Sequence, residues 1–99
     1  MPLALRIAGR AAGEIERAER WWLANRPAAP DAFRADFHGA FTLLLRQPRV
    51  GIKVANTKLP SVRRLHLGRI RYFVYYQLRD EELIVLSVWH ASRGKRPSV

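Results

Sequence analysis

IRYFVYYQLRDEELIVLSVWH, residues 70–90, contains two runs of β-branched and aromatic residues separated by a short polar segment. Runs of this composition, bounded by turn residues, favour β-strands. We predict strands at Ile70–Leu78 and Leu83–Trp89, joined by a turn at 79–82. The second run is apolar at successive positions, which is typical of a strand covered on both faces. We therefore expect helices on one side of this strand and a second cover, such as a partner chain, on the other.

The residues before this stretch extend the sheet by one more strand. Val62–Leu67 has strand composition and ends at Gly68 and Arg69, so the three runs predict an antiparallel meander. Residues 48–61 contain Pro, Gly, Asn and Ser without a sustained period. This composition predicts a surface loop with a little extended structure.

A short strand and two amphipathic helices are predicted upstream. Leu3–Ile7 alternates apolar residues with Ala4 and Arg6, as a half-buried strand does. Apolar residues then recur at spacings of three and four, the helical period, and Pro27 and Pro48 end the two segments. The predicted inner positions are Ala8, Ala11, Ile15, Ala18 and Trp22 in the first helix, and Phe33, Phe37, Ala40, Phe41 and Leu44 in the second.

These elements predict one α+β domain over residues 1–99. A short N-terminal strand and an antiparallel two-helix hairpin pack on a mainly antiparallel sheet of three to four strands. The chain has no Cys and no apolar run long enough to span a bilayer, so we expect a cytoplasmic protein. Its three His residues are scattered, and we expect neither a metal nor another cofactor.

Charge is the strongest compositional signal. The chain has 18 Lys and Arg against 8 Asp and Glu, a formal net charge of +10. No acidic residue lies between Asp36 and Asp80, whereas nine basic residues do: Arg46, Arg49, Lys53, Lys58, Arg63, Arg64, Arg69, Arg71 and Arg79. Such a stretch predicts an anionic partner whose binding weakens with salt. A general nucleic-acid-binding module is one alternative, with Tyr72, Tyr75 and Tyr76 as possible stacking residues, although packing is the favoured role for tyrosines in strands.

The order of these elements, ending in a His and a basic tail, resembles the RelE/ParE toxins over almost the whole chain. The motifs that carry the resemblance are FTLLLRQP at 41–48, VRRLHL at 62–67, YFVYY at 72–76 and ELIVLSVWHASR at 82–93. The resemblance implies a RelE/ParE-like fold and the toxin of a type II toxin–antitoxin system. It also implies a cognate antitoxin whose disordered C-terminal segment folds over the toxin in a hetero-oligomer.

Two activities are known in this family, and the resemblance implies one of them. ParE-like members bind and poison DNA gyrase without being hydrolases, whereas RelE-like members cut mRNA in the ribosome. The ending WHASR at 89–93 is closer to ParE-like tails, and Ala91 follows His90 where ribosome-dependent relatives often end in a tyrosine. The loop 49–59 also lacks Glu. The favoured hypothesis is therefore gyrase poisoning, and the alternative is a ribosome-dependent mRNA endoribonuclease.

The two hypotheses assign different roles to the same region. The RelE-like hypothesis makes His90 the base or acid, because imidazole titrates near neutral pH, with phosphate held by Arg63, Arg64, Arg71 and Arg93. Lys53 and Lys58, five residues apart, are weak candidates for a supporting pair. The ParE-like hypothesis has no catalytic residues and places target binding in the basic tail 90–99, whose end is expected to be mobile. Its target-binding candidates are Trp89, His90, Arg93, Lys95 and Arg96.

The antitoxin is expected to use another set of residues. The apolar faces of Leu83–Trp89 and of the helical hairpin, beside basic residues, are predicted to receive an acidic amphipathic segment. Only one of the adjacent Trp21 and Trp22 can lie on the inner face of its helix, so the other covers a neighbouring strand or a partner. The candidate antitoxin-binding residues are Trp21, Trp22, Arg64, Arg71, Tyr75 and Val88.

Overall fold

The computed structural model describes residues 3–99 and has the predicted α+β architecture. In chain order the elements are β1 (Ala4–Ile7), α1 (Gly9–Asn25), α2 (Ala32–Arg46), β2 (Ile52–Lys53), β3 (Val62–Leu67), β4 (Tyr72–Arg79) and β5 (Glu82–His90). The strands form one sheet in the order β1-β5-β4-β3-β2, in which β1 runs parallel to β5 and the other neighbours are antiparallel. The sheet has five strands rather than three to four, because the loop after α2 contributes the two-residue β2. None of the helices in residues 3–99 is long and apolar enough to cross a membrane.

The predicted meander is confirmed with its other boundaries within one residue, but the predicted start of β4 is wrong by two residues. The prediction begins β4 at Ile70, whereas Ile70 lies in the turn between β3 and β4 and is buried. The reason is Arg71, whose φ of 62° is incompatible with an extended strand. The turn between β4 and β5 is also tight, and it contains Asp80 at φ 53°.

The helices cover one face of the sheet with the side chains that the sequence period predicts. In α1 the residues Ala11, Ala18 and Trp22 are buried, and α2 buries Phe33, Phe37, Ala40 and Leu44. The Phe33 ring lies 4.7 Å from that of Phe37 and 5.9 Å from that of Tyr72, so α2 packs on β4 through aromatic contacts. Trp22 is buried and Trp21 is 47% exposed, which confirms that only one of the pair faces the core.

The carboxylate of Glu14 links α1 to an irregularity in β5. The pairing of β4 with β5 shifts register between Tyr75 and Tyr76, because Leu86 is an extra residue in β5. Glu14 of α1 reaches this bulge, where its Oε1 accepts hydrogen bonds from Ser87 Oγ at 2.9 Å and from the Val88 backbone N–H at 3.0 Å. These bonds fix the position of α1 along β5.

The loop after α2 is held against the sheet by the phenol of Tyr76. Tyr76 is fully buried, its hydroxyl donates to the Pro48 carbonyl at 2.8 Å, and it accepts the Gly51 N–H at 3.0 Å. Burial raises the pKa of this phenol, although the Gly51 N–H and the nearby Arg63 charge lower it. Gly51 is required here by close approach, since a Cβ would lie 2.6 Å from Tyr76 Oη and 2.7 Å from the Arg64 carbonyl oxygen.

We therefore predict that Gly51→Ala lowers the free energy of unfolding by roughly 1–3 kcal/mol, the usual cost of an overpacked site. Urea denaturation followed by circular dichroism measures the change. Gly39→Ala is the matched control, because Gly39 lies in α2 and a Cβ there meets nothing within 4 Å. The control should raise stability by about 0.5–1 kcal/mol through helix propensity. Equal effects of the two substitutions would contradict the role of close approach at Gly51.

Candidate functional site

Five of the eight acidic residues, four on the helices and Glu82 on β5, pair with arginines. The ion pairs within residues 3–99 are Arg6–Glu82, Arg10–Glu14, Arg20–Glu16, Arg34–Glu19 and Arg69–Asp36. The Asp36 carboxylate raises the pKa of the Arg69 guanidinium, so one of the nine cations of the basic stretch is neutralised. Among the described residues Arg64, Arg71 and Arg93 have no carboxylate partner. The meander and the C-terminal tail therefore carry several of the cations that form no ion pair within residues 3–99, and Arg17 of α1 is another.

The face of the sheet that points away from the helices, here called the outer face, carries a row of aromatic and basic side chains. Arg64 is the register partner of Tyr75, and Phe73 is the partner of Trp89, so these four residues share this face. Arg64 and Tyr75 also approach at 3.4 Å between Nη1 and the phenol oxygen. Strand alternation thus separates Arg64 from its neighbour Arg63, which points to the opposite side.

A groove opens on this face where β5 ends, and we call it the tail groove. It is lined by Arg64, Phe73, Tyr75, Trp89, His90, Ala91, Arg93, Gly94, Lys95 and Arg96. The Arg64 guanidinium lies 4.3 Å from the centre of the Phe73 ring, and that of Arg93 lies 4.1 Å from the Trp89 ring. Each guanidinium thus lies over an aromatic ring, and apart from the Arg64 Nη1 contact with Tyr75 its N–H groups have no acceptor within residues 3–99, so they can bind an anionic partner.

His90 is held at the edge of this groove in a defined state. Its Nδ1 accepts the Ser92 backbone N–H at 3.1 Å and lies 2.6 Å from Ser92 Oγ. A neutral ring in this arrangement carries its proton on Nε2. Its Nδ1 lone pair is therefore already used, and no carboxylate lines the tail groove.

The segment after β5, residues 91–99, folds back over the outer face, and we call it the C-terminal strap. Trp89 Nε1–H donates to the Lys95 carbonyl at 2.6 Å, and Arg96 donates to the Asn56 carbonyl at 2.9 Å. The Val99 carbonyl oxygen accepts the N–H groups of Lys58 and Leu59, each at 3.1 Å. These bonds attach the strap to the 56–60 loop, whereas mobility of the tail end stays a prediction.

The strap and this loop are the second cover that β5 needs. Tyr75, Gln77 and Ile84 point away from the helices yet are at most 4% exposed. The Gln77 amide donates to the Pro60 carbonyl at 3.0 Å, and Pro97 of the strap is buried. A partner chain was expected to receive the apolar face of Leu83–Trp89, but the chain covers that face itself.

The residues proposed for RNA cleavage lie at different places in the structure. Arg64, His90 and Arg93 meet in the tail groove. Arg63 donates instead to the carbonyls of Arg49 and Gly51, at 3.1 and 2.7 Å, and holds the loop after α2. Arg71 lies in the β3–β4 turn, outside the groove lining. Lys53 and Lys58 do not form a pair either, because Lys53 shares a separate depression with Arg49 and Arg63, whereas Lys58 contacts the strap.

The candidate antitoxin-binding residues are also divided by burial. Trp22, Tyr75 and Val88 are buried within the chain and present almost no side-chain surface to a partner. Trp21, Arg64 and Arg71 remain accessible, and for them antitoxin binding stays a prediction. The sequence reasoning missed Leu23, Val50 and Ile52, which are 46%, 42% and 59% exposed. It also missed Phe73 as the platform for Arg64, although the alternation of β4 places Phe73 and Tyr75 on one face.

Comparison with known families identifies this architecture. The model of the ParE toxin of the type II toxin–antitoxin system parDE matches residues 5–94. The chain belongs to the ParE toxin family. No curated protein sequence matches it significantly.

Solved structures from toxin-antitoxin systems share the fold of this ParE-family chain. It is similar to a chain of the chromosomal ParDE system from P. aeruginosa, with a TM-score of 0.73, 17% identity, and 91% of this chain and 97% of that chain covered. The E. coli DinJ-YafQ toxin-antitoxin complex gives a TM-score of 0.66 at 11% identity, with 91% of this chain and 93% of that chain covered. A mutant of E. coli toxin RelE in the free state gives a TM-score of 0.61 at 21% identity, with 93% of this chain and 86% of that chain covered. The fold is therefore common to ParE-like and RelE-like toxins.

The strap generates a stability prediction. Deletion of residues 97–99 removes buried Pro97 and the bonds of the Val99 carbonyl to Lys58 and Leu59, so the free energy of unfolding should fall by about 1–3 kcal/mol. Binding of the dye ANS should rise as the outer face opens. Ser98→Ala is the control and should stay within about 0.5 kcal/mol, because Arg10 bonds only the backbone carbonyl of Ser98, at 2.8 Å. Unchanged stability on truncation would show that the strap is not a cover.

Proposed function

We propose that this ParE-family chain is a toxin that inhibits growth by binding and poisoning DNA gyrase, and that a cognate antitoxin neutralises it. The observation that carries the proposal is the chemistry of the tail groove. It offers stacked guanidinium groups and aromatic rings, but no carboxylate, and the His90 Nδ1 is engaged by Ser92. Cleavage of RNA by general acid–base catalysis needs one group to take a proton and another to give one. The groove is better equipped to bind than to hydrolyse.

The tail groove favours an acidic protein surface or a protein-bound nucleic acid as its target. Arg64 and Arg93 are half-buried and exposed respectively, and the rings beneath them restrict their orientation before binding. Such preorganised cations lose less freedom on binding than mobile side chains do. Lys95 and Arg96 extend the positive surface along the strap, which raises the association rate with an anionic partner. The proposed target-binding set is thus Trp89, His90, Arg93, Lys95 and Arg96, to which the groove adds Arg64.

The antitoxin is proposed to cover apolar surface near the end of α1 as well as the cationic surface. Trp21 and Leu23 are about half exposed there, and the Arg26 guanidinium lies 5.5 Å from the Trp21 ring. Large apolar side chains that remain exposed in a small domain favour a partner. An acidic amphipathic segment could bury these residues and pair with Arg64 or Arg71, which would screen the charges that the target requires.

A DNA supercoiling assay with purified gyrase tests the proposal. The purified chain should inhibit supercoiling, and Arg64→Ala and Arg93→Ala should each raise the half-inhibitory concentration about tenfold or more, because each removes a charged hydrogen-bond donor. Arg20→Ala is the matched control, since Arg20 lies on α1 and pairs with Glu16. Addition of the protein encoded by the neighbouring reading frame should restore supercoiling.

Undisturbed supercoiling at saturating protein would reject gyrase as the target. If ribosome-bound mRNA were cleaved in a parallel reaction, and if His90→Ala abolished that cleavage, the RelE-like alternative would replace the proposal. Equal inhibition by the wild type, Arg64→Ala and Arg93→Ala would instead reject the tail groove as the binding site.

A further inference from the structure

A second concave site lies on the other side of His90, between α1 and the end of the sheet, and we call it the α1 notch. It is lined by Glu14, Arg17, Ala18, Tyr72, Val88, His90 and Arg93, with a volume of about 330 Å³. Its floor consists of Ala18 and Val88, which are 7% and 4% exposed. The rest of its lining is polar or charged, so the notch combines an apolar base with a polar rim.

Three hydrogen-bond donors of the rim have no acceptor among residues 3–99. Arg17 makes no ion pair or side-chain hydrogen bond there, and its guanidinium folds over Gly13, where a Cβ would lie 3.2 Å from Nη1. The Arg93 guanidinium stacks on Trp89 but donates to no acceptor. The phenol of Tyr72 is also without a hydrogen-bond partner, and its ring is fixed edge-on to the His90 imidazole at 5.0 Å between centroids.

His90 provides a fourth donor. Because Nδ1 accepts the Ser92 N–H, the proton of the neutral ring is on Nε2, the nitrogen left free for a ligand. Burial raises the pKa of the Tyr72 phenol, while the positive charge of Arg93 lowers it. The phenol therefore remains a donor at neutral pH.

The single carboxylate in the notch, that of Glu14, does not prevent the binding of an anionic ligand. Glu14 Oε1 is occupied by Ser87 Oγ and the Val88 N–H, and Oε2 lies 3.4 Å from Arg10 Nε. Arg10 balances the charge of Glu14, so Arg17 and Arg93 leave the notch with a net positive charge. The carboxylate acts here as a structural link between α1 and β5.

We infer that the α1 notch is an oxyanion-binding site that takes a phosphate group, held by Arg17, Arg93, the His90 Nε2–H and the Tyr72 hydroxyl. The donors come from α1, from β4 and from the end of β5 with the strap, so they approach a ligand from different sides. This arrangement suits a tetrahedral phosphate better than a planar carboxylate, which one guanidinium fork can satisfy. The phosphate can be a free phosphate ester or belong to a nucleic-acid backbone, since both present the same oxygens.

Titration of the ¹⁵N-labelled protein with inorganic phosphate, at constant ionic strength against chloride, tests the site by NMR. Saturable shifts are expected at the side-chain signals of Arg17, Arg93 and the His90 ring, with weaker or absent effects of acetate. Arg17→Gln should weaken phosphate binding about tenfold, because a charged donor is lost. Tyr72→Phe should weaken it by a smaller factor while keeping the ring that packs on Phe33. Arg20→Gln, a change on the same helix outside the notch, should bind as the wild type does.

Competition identifies the source of the phosphate. Displacement of inorganic phosphate by a short single-stranded oligonucleotide more readily than by a nucleoside monophosphate indicates a nucleic-acid backbone, and the reverse order indicates a small phosphate ester. Shifts that never saturate, or phosphate binding that is equal in Arg17→Gln and Arg20→Gln, would overturn the inference. Arg17 is outside the tail groove, so this result is independent of whether the chain inhibits gyrase.

Discussion

Strand β5 is the constraint on which the remainder of the structure depends, because it is hydrogen-bonded along both edges and covered on both faces. β1 pairs with it in parallel and β4 in antiparallel orientation. The helices bury Leu83, Val85 and Val88, whereas Ile84 is buried on the outer face. The 56–60 loop and residues 91–99, which follow β5, lie over that outer face. The C-terminal strap therefore serves the core and the candidate site together, and the tail groove lies where the strap leaves the sheet.

The predictable part of this fold is the part encoded by side-chain periodicity. Alternation and apolar density indicate the meander, and the three- and four-residue spacings indicate which faces of α1 and α2 are buried. The strap could not be predicted in this way, since the Val99 carbonyl is bonded to backbone N–H groups, which every residue type except proline can supply. The bulge at Leu86 and the positive φ of Arg71 are also backbone features without a distinct residue signature.

The candidate site, like the fold, is predictable from the sequence only in part. Charge counting identifies a basic segment but treats Arg63 and Arg64 as equivalent, although strand alternation sends them to opposite faces. Arg63 satisfies two loop carbonyls, and Arg64 stacks on Phe73 beside the tail. Asp36, distant in sequence, neutralises Arg69. Only the tertiary structure separates cations that hold the fold from cations left free for a partner. Of the free ones, Arg17, Arg64 and Arg93 line the two concave sites beside His90.

Photocrosslinking in growing cells gives the most direct test of the claim that the tail groove binds gyrase. A photoreactive amino acid at position 95 keeps the backbone carbonyl that Trp89 uses, and the same group at position 38, exposed on α2, provides the control. We expect an adduct with a gyrase subunit from position 95 and none from position 38. Adducts with ribosomal proteins or RNA from position 95, or equal gyrase yields from both positions, would contradict it.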